Sequence, residues 1–335
     1  MKYNTLICSI LLSFLAGACS SPTSAPIVPP EASGAIADTP AMTATTQPTA
    51  TTEPAATAEN TAAPTPVGGG AGTLLFASKR EKFAIFEVQV DGTGQTVLMQ
   101  ETIDYNTAEF SPDGQHLLMF PSIFNSTLPV DVLRVQTGSE LVSFPQYLEG
   151  AWSPSGTQLV VVYVADGEEN WDLALIDLGD ESFFQPLTDD PAYDWSPDWC
   201  GDQILFTSDR LGIGKIFVMN SDGSGQRMLE TGDVEVYMGD WSPDCSQIAY
   251  TAFTTEEDTQ IFVVDVDGGD PIQLTDVPGF NEEPAWSPDG KLIAFWTNRS
   301  GDFEIFVMNA DGSHPLNLSN TPGFDFSPSW VPAVP

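Results

Sequence analysis

The sequence predicts an all-β protein, a six-bladed β-propeller built from four-stranded antiparallel blades, and three observations predict it. An aromatic anchor followed by Ser-Pro-Asp-Gly or a variant recurs at Phe110, Trp152, Trp199, Trp241, Trp286 and Trp330, spaced by 42, 47, 42, 45 and 44 residues. A period in the forties with several short strands per copy is the signature of a propeller. Short apolar runs bounded by Asp-Gly turns fill each interval, as strands joined by tight hairpins do. Beyond the first twenty residues no long segment has apolar residues at helical spacing.

At the N-terminus, Lys2 precedes an apolar run from Leu6 to Ala18. That run is too short for an ordinary membrane span and suits the apolar core of a secretory signal, so residues 1–18 are expected to be a signal peptide. Its end, Leu15-Ala16-Gly17-Ala18-Cys19, resembles the lipobox of bacterial lipoproteins, although Ala16 stands where that pattern usually has Leu. The resemblance implies that Cys19 is lipidated and becomes the new N-terminus; an ordinary cleaved signal is the alternative. Residues 19–72 join that Cys to a segment of Thr, Ala, Pro and Ser which, from Ser20 to Gly72, has no Lys, Arg or aromatic residue. Such a composition cannot build a core and is expected to be disordered. Extended at roughly 3.1 Å per residue it reaches at most about 160 Å, a tether between membrane and domain; a stalk carrying O-linked sugars fits the same composition.

Residues 73–332 are expected to form the propeller, with 333–335 as a tail. Asp91-Gly92, Asp222-Gly223, Asp267-Gly268 and Asp311-Gly312 supply the positive φ that tight hairpins demand. Ser-Pro-Asp-Gly fixes a turn through the locked φ of proline and the freedom of glycine. The repeat is out of phase with the chain: residues 73–99 hold three strands with no anchor before them, and residues 328–332 hold an anchor strand with nothing after it. The expected closure pairs that C-terminal strand with the N-terminal three.

Three stretches carry a family resemblance: Trp286-Ser287-Pro288-Asp289-Gly290, Ile305-Phe306-Val307-Met308-Asn309 followed by Asp311-Gly312, and Pro191-Ala192-Tyr193-Asp194. They resemble the WD-repeat-like propeller of the TolB family, periplasmic components of a bacterial envelope complex, over residues 73–332. The family's additional α/β domain is replaced here by the tether, so membership of that complex is not implied. Related propellers also serve as accessory domains of prolyl-oligopeptidase-type peptidases, but no catalytic domain is expected beside this one.

No catalytic residues are expected. The nucleophile elbow Gly-x-Ser-x-Gly is absent, and the two histidines, His116 and His314, fall at a strand start and in an Asp-Gly turn. No cofactor is expected, and so few histidines and thiols disfavour zinc or iron. Calcium is the one metal the acids of Asp265, Asp267 and Asp270 would suit, although hairpin geometry accounts for them as well. Sialidases are also six-bladed, but their Asp-box has a residue between Asp and Gly that Ser-Pro-Asp-Gly lacks. Arg80, Arg210 and Arg299 occupy equivalent turns in three blades, which suits ion pairs with nearby acids better than a substrate-gripping triad. Cys200 and Cys245 fall in the same turn of neighbouring blades of an exported protein and are expected to form a disulfide.

The charge of −37, from 47 acidic and 10 basic residues, excludes nucleic acid and anionic headgroups as partners. The membrane is expected to be met through the lipid anchor alone. An aromatic precedes each anchor strand at Tyr105, Tyr147, Tyr193, Tyr237, Phe280 and Phe324, with acids close behind at Glu149, Asp194, Asp240, Glu282, Glu283 and Asp325. Together they could ring the channel mouth and receive a cationic envelope protein or peptide; alternatively the aromatics wedge between blades. The expected function is therefore a non-catalytic, monomeric binding scaffold of the bacterial cell envelope, extracytoplasmic and lipid-anchored. The alternative is a hydrolase or lyase acting on extracellular glycan or peptide through channel-mouth carboxylates.

Overall fold

The structure, a computed structural model, describes residues 72–332 apart from 81–82, 101–104, 122–132, 138–139, 145–146 and 166–169. Cys19, the signal and the tether lie outside the described residues. The chain opens with β1 (Thr73–Lys79), β2 (Phe83–Gln89) and β3 (Thr96–Met99). Five complete four-stranded antiparallel sheets follow: β4 (Tyr105–Phe110) to β7 (Glu140–Phe144) through β5 (His116–Pro121) and β6 (Leu133–Thr137); β8 (Tyr147–Trp152), β9 (Gln158–Tyr163), β10 (Asp172–Asp177) and β11 (Asp180–Pro186); β12 (Asp194–Cys200), β13 (Gln203–Ser208), β14 (Lys215–Asn220) and β15 (Arg227–Met228); β16 (Val236–Trp241), β17 (Gln247–Thr255), β18 (Asp258–Asp265) and β19 (Ile272–Gln273); β20 (Asn281–Trp286), β21 (Leu292–Thr297), β22 (Glu304–Asn309) and β23 (Leu316–Asn317). The last strand, β24 (Phe324–Trp330), lies antiparallel beside β1 and makes the N-terminal three strands a four-stranded sheet in the order β24-β1-β2-β3.

The expected C-terminal strand, 328–332, is displaced. It starts at Phe324 and ends at Trp330, because the pairing with β1 slips between Leu75 and Ala77 and Ser327 turns through a φ of 51°. The residues before that bulge, Phe324 to Phe326, still pair with β1. A Pro next to the bulge hid them in the sequence.

The core lies between consecutive sheets. One layer combines Leu205, Ile216 and Val218 with Trp241, Ile248 and Tyr250; another joins Ala249, Ile261 and Val263 to Trp286, Ile293 and Phe295. A strand packed on both faces reads as a continuous apolar run rather than an alternation. That is why β21, Leu-Ile-Ala-Phe-Trp-Thr, is buried along its whole length.

The Ser-Pro-Asp-Gly turn is held by its own side chains. In the copy at 287–290, Ser287 Oγ donates to Asp289 Oδ1 at 2.8 Å, accepts from Leu292 N at 2.9 Å, and Gly290 N closes the turn on Ser287 O at 2.8 Å. Ser111 and Ser242 repeat the arrangement. The Asp-Gly turns also lock one sheet to the next. At Gly312, with φ of 82°, an added Cβ would lie 2.6 Å from the carbonyl oxygen of Leu274 in the preceding sheet. Gly312→Ala combines a left-handed penalty of about 1–2 kcal/mol with a backbone clash, and is expected to lower stability by about 2–3 kcal/mol in chemical denaturation; an unchanged midpoint would refute this.

Candidate functional site

The strands β4, β8, β12, β16, β20 and β24 hydrogen-bond from each sheet to the next, which makes them the innermost strands. Ser196 N donates to Glu149 Oε2 at 2.9 Å, Trp241 N to Asp198 Oδ2 at 2.8 Å, and Trp286 N to Asp240 Oδ2 at 2.6 Å. Trp152 Nε1 donates to Glu109 O at 3.3 Å, Trp330 Nε1 to Ala285 O at 2.9 Å, and Ser329 Oγ to Ala108 O at 2.6 Å. Each inner strand slips register with its neighbour midway, for example between Trp195 and Asp198 or between Glu282 and Ala285. Bulges re-aim side chains; Ser196, Met238, Glu283 and Ser327 sit at positive φ in these bulges.

The result is a group of inner-strand carboxylates close enough to act on one another. Burial, then the charge of Asp198, pushes Glu109 up to about 8. Burial also raises Asp198, against the N–H groups of Trp241 and Trp199, and raises Asp240 well above its usual range, with Asp198 and Glu109 adding to the effect. Glu283 is raised by burial, and the charge of Glu149 contributes; Glu149 is raised by burial against the Ser196 amide. Glu109 on β4 and Asp198 on β12 are two sheets apart, while Glu149 on β8 and Glu283 on β20 are three apart. Carboxylates on inner strands that are not neighbours thus act on one another. No Lys or Arg occurs on any of the six inner strands.

These shifts set a pH dependence opposite to ordinary acid denaturation. Glu109 is raised from 4.5 to about 8 and Glu282, by burial, from 4.5 to about 7. Acids raised in the fold contribute stability that is complete below about 4.5 and is lost as pH rises through 7 and 8. Melting temperature is therefore expected to fall from pH 5 to pH 8. Glu109→Gln should raise stability at pH 8 by about 1–2 kcal/mol, discounted for the solvent reaching this partly buried group, and should flatten the profile. A profile that rises over this window would refute the assignment.

The expected mouth residues are only partly brought together. Tyr147 and Tyr237 are buried, as are Asp194, Glu282 and Asp325, so these five present no surface to a partner. Tyr147 packs with Leu118 of the preceding sheet and Leu159 of its own, and Tyr237 reaches the following sheet. Tyr237 Oη donates to Glu282 Oε1 at 2.9 Å, as does Thr259 Oγ1 from the same sheet as Tyr237. Arg210 Nη2 donates to both carboxylate oxygens of Asp194, at 3.1 and 3.0 Å, and Asp325 has Arg80 at 4.0 Å. Tyr193 is partly buried with its ring edge-on to Trp171, Phe280 is partly buried, and Phe324 is exposed beside Phe303. Glu283 is partly buried. Tyr105 opens β4, and its side chain lies outside the described residues.

The three arginines are framework: Arg210 lies over Phe206 and Phe217, Arg299 over Phe295 and Phe306, and Arg80 over Phe86. Arg299 meets Asn281 Oδ1 at 2.7 Å where Arg210 meets Asp194. Cys200 and Cys245 are joined in a disulfide between the third and fourth complete sheets, with Cα atoms 5.7 Å apart. Among the described residues no group of three or more His, Cys, Asp or Glu is arranged to hold a metal ion. Glu109 and Asp198 were not singled out by sequence; the available signal was an acid immediately before the anchor aromatic, shared with Asp240.

A family described as the TolB beta propeller domain matches residues 75–238 and 215–334. An uncharacterised protein of Agrobacterium fabrum is 33% identical over 96 residues, which cover 28% of this chain and 32% of that protein. Dipeptidyl-peptidase 5 of Porphyromonas endodontalis is 33% identical over 101 residues, covering 28% of this chain and 14% of the peptidase. The chain spans about a third or less of the length of these curated relatives. TolB from Acinetobacter baumannii superposes with a TM-score of 0.67 at 20% identity, over 78% of this chain and 67% of that one, a likeness of fold.

Proposed function

The chain belongs to the TolB β-propeller family, and from that premise we propose that it is a non-catalytic protein- or peptide-binding scaffold of the bacterial cell envelope. In this proposal β24 closes a six-bladed ring, and the ring is displayed outside the cytoplasm on the tether, lipidated at Cys19. One observation carries the binding role: the carboxylates of Glu109, Glu149, Asp198, Asp240 and Glu283, from five inner strands without a single Lys or Arg, fall into two sets that act on one another, Glu109 with Asp198 and Asp240, and Glu149 with Glu283. A low-dielectric site whose ionisable side chains are all acids suits a cationic segment inserted by a partner, whose charge draws these raised carboxyls into ionisation. The test is affinity capture from envelope extracts with the full chain as bait, followed by calorimetry with the purified partner. Binding should weaken at least tenfold in Glu149→Gln with Glu283→Gln, and steeply with salt. Capture of no partner, or equal affinity of the double variant, overturns the proposal.

A second function, hydrolysis or elimination on an extracellular glycan or peptide, draws on one observation. Glu109, held up to about 8, would be protonated at neutral pH beside other carboxylates, as a general acid must be. Turnover of oligosaccharides or peptides that vanishes in Glu109→Gln would support it, and the absence of turnover across such a panel would end it.

A further inference from the structure

We propose that the lip formed by Leu211, Ile213 and Val234 docks a basic peptide segment bearing a large apolar side chain. This deepens the scaffold function and rests on it. Leu211 is 60% exposed, Ile213 37% and Val234 39%. The first two sit on the turn joining β13 to β14, and the third on the loop joining β15 to β16. The two segments are fastened together: Val236 N donates to Gly214 O at 3.0 Å, and Lys215 Nζ donates to Val234 O at 2.7 Å and to Gly232 O. A Cβ added at Gly212 or at Gly232 would meet nothing within 4 Å, so both tips of the lip stand in open space.

The surroundings specify the occupant. Glu230 and Asp233 are exposed beside the apolar residues, and Asp209 and Glu235 are partly buried there; the charge of Asp209 acts on Glu235, and those of Asp233, Glu230 and Glu235 act on Lys215. The two local cations are engaged within the fold, Lys215 on main-chain carbonyls and Arg210 on Asp194. Corresponding turns in the next two sheets, Thr254 to Glu257 and Asn298 to Phe303, carry no aliphatic side chain, and the one apolar residue there, Phe303, is partly buried against Trp296 and Phe324. Solvation of a hairpin tip therefore does not require Leu211 and Ile213. An apolar spot rimmed by acids fits one apolar anchor flanked by Lys or Arg.

The experiment titrates the full-length folded protein, at physiological salt, with the synthetic peptide Lys-Leu-Lys-Phe-Lys-Leu-Lys and with a control having Gly at the three apolar positions. The apolar peptide is expected to bind at least tenfold more tightly than the control, and Leu211→Ser with Ile213→Ser to remove that advantage without changing the melting temperature. Ile272→Ser, an exposed apolar residue on the outer strand β19, should leave binding within twofold. Equal binding of the two peptides, or an unaltered affinity in the lip variant, overturns the proposal, as does a lip-dependent dimer in sedimentation that excludes the peptide. If binding of an envelope partner falls in the Glu149 and Glu283 variants but not in the lip variant, the lip fails and the scaffold function stands.

Discussion

Deleting residues 325–335 is expected to abolish the cooperative fold rather than to trim one edge. The deletion removes almost all of β24, whose register with β1 runs from Leu74 opposite Trp330 to Lys79 opposite Phe324. It exposes the edge of β1, which is fully buried from Leu74 to Ser78. It also cuts the bonds from Trp330 to Ala285 and from Ser329 to Ala108, which tie the last complete sheet to the first. Losing a strand that pairs with one sheet and packs between two others exceeds what a fold of about 5–15 kcal/mol total stability can absorb. The expected result is no sigmoidal melt and loss of β-sheet circular dichroism. A truncated protein with the melting temperature of the parent would show that β24 is dispensable.

Reduction of the Cys200–Cys245 bond is the next largest effect. The cysteines are 45 residues apart, and closing a loop of that length in the unfolded chain corresponds to about 4 kcal/mol. For a domain of this size that is a loss of roughly 8–16 °C in melting temperature. Cys245 sits at a φ of 58°, in the place that Gly114, Gly156 and Gly290 occupy in other copies of the turn. Cys245→Ser therefore loses the cross-link and keeps the strained backbone, whereas Cys245→Gly should recover about 1 kcal/mol of the loss. Equal stabilities for the two variants would mean that the left-handed turn is not a cost here, and an unchanged melt on reduction would mean the bond constrains nothing.

The fold was legible because every blade repeats the same local chemistry. A Ser hydroxyl bonded to Asp two residues on, a glycine at positive φ, and strands apolar on both faces each act within a few residues, so each leaves a local trace. The channel was less legible because it depends on where the bulges fall. Glu282 and Glu283 are neighbours, yet one is buried against Tyr237 and the other acts with Glu149. Nothing in the dipeptide distinguishes them; the slip between Glu282 and Ala285 does. The aromatics misled for a related reason. Tyr147 and Tyr237 stand where the inner strand is already wedged between sheets, so their size serves packing. Glu109 and Asp198 went unnoticed because one acid before an aromatic is commonplace, and their meaning appears only when strands two sheets apart bring them together.

The pairing of β24 with β1 also sets an order in time. β1 is among the first parts of the domain in chain order, and its partner follows roughly 250 residues later. Without β24 the edge of β1 is left unpaired, the kind of segment that recruits strands from other chains. The five complete sheets can pair as they emerge, each from contiguous sequence, whereas the first sheet must be held open until the end. Completion of the first sheet thus depends on the last strand of the chain.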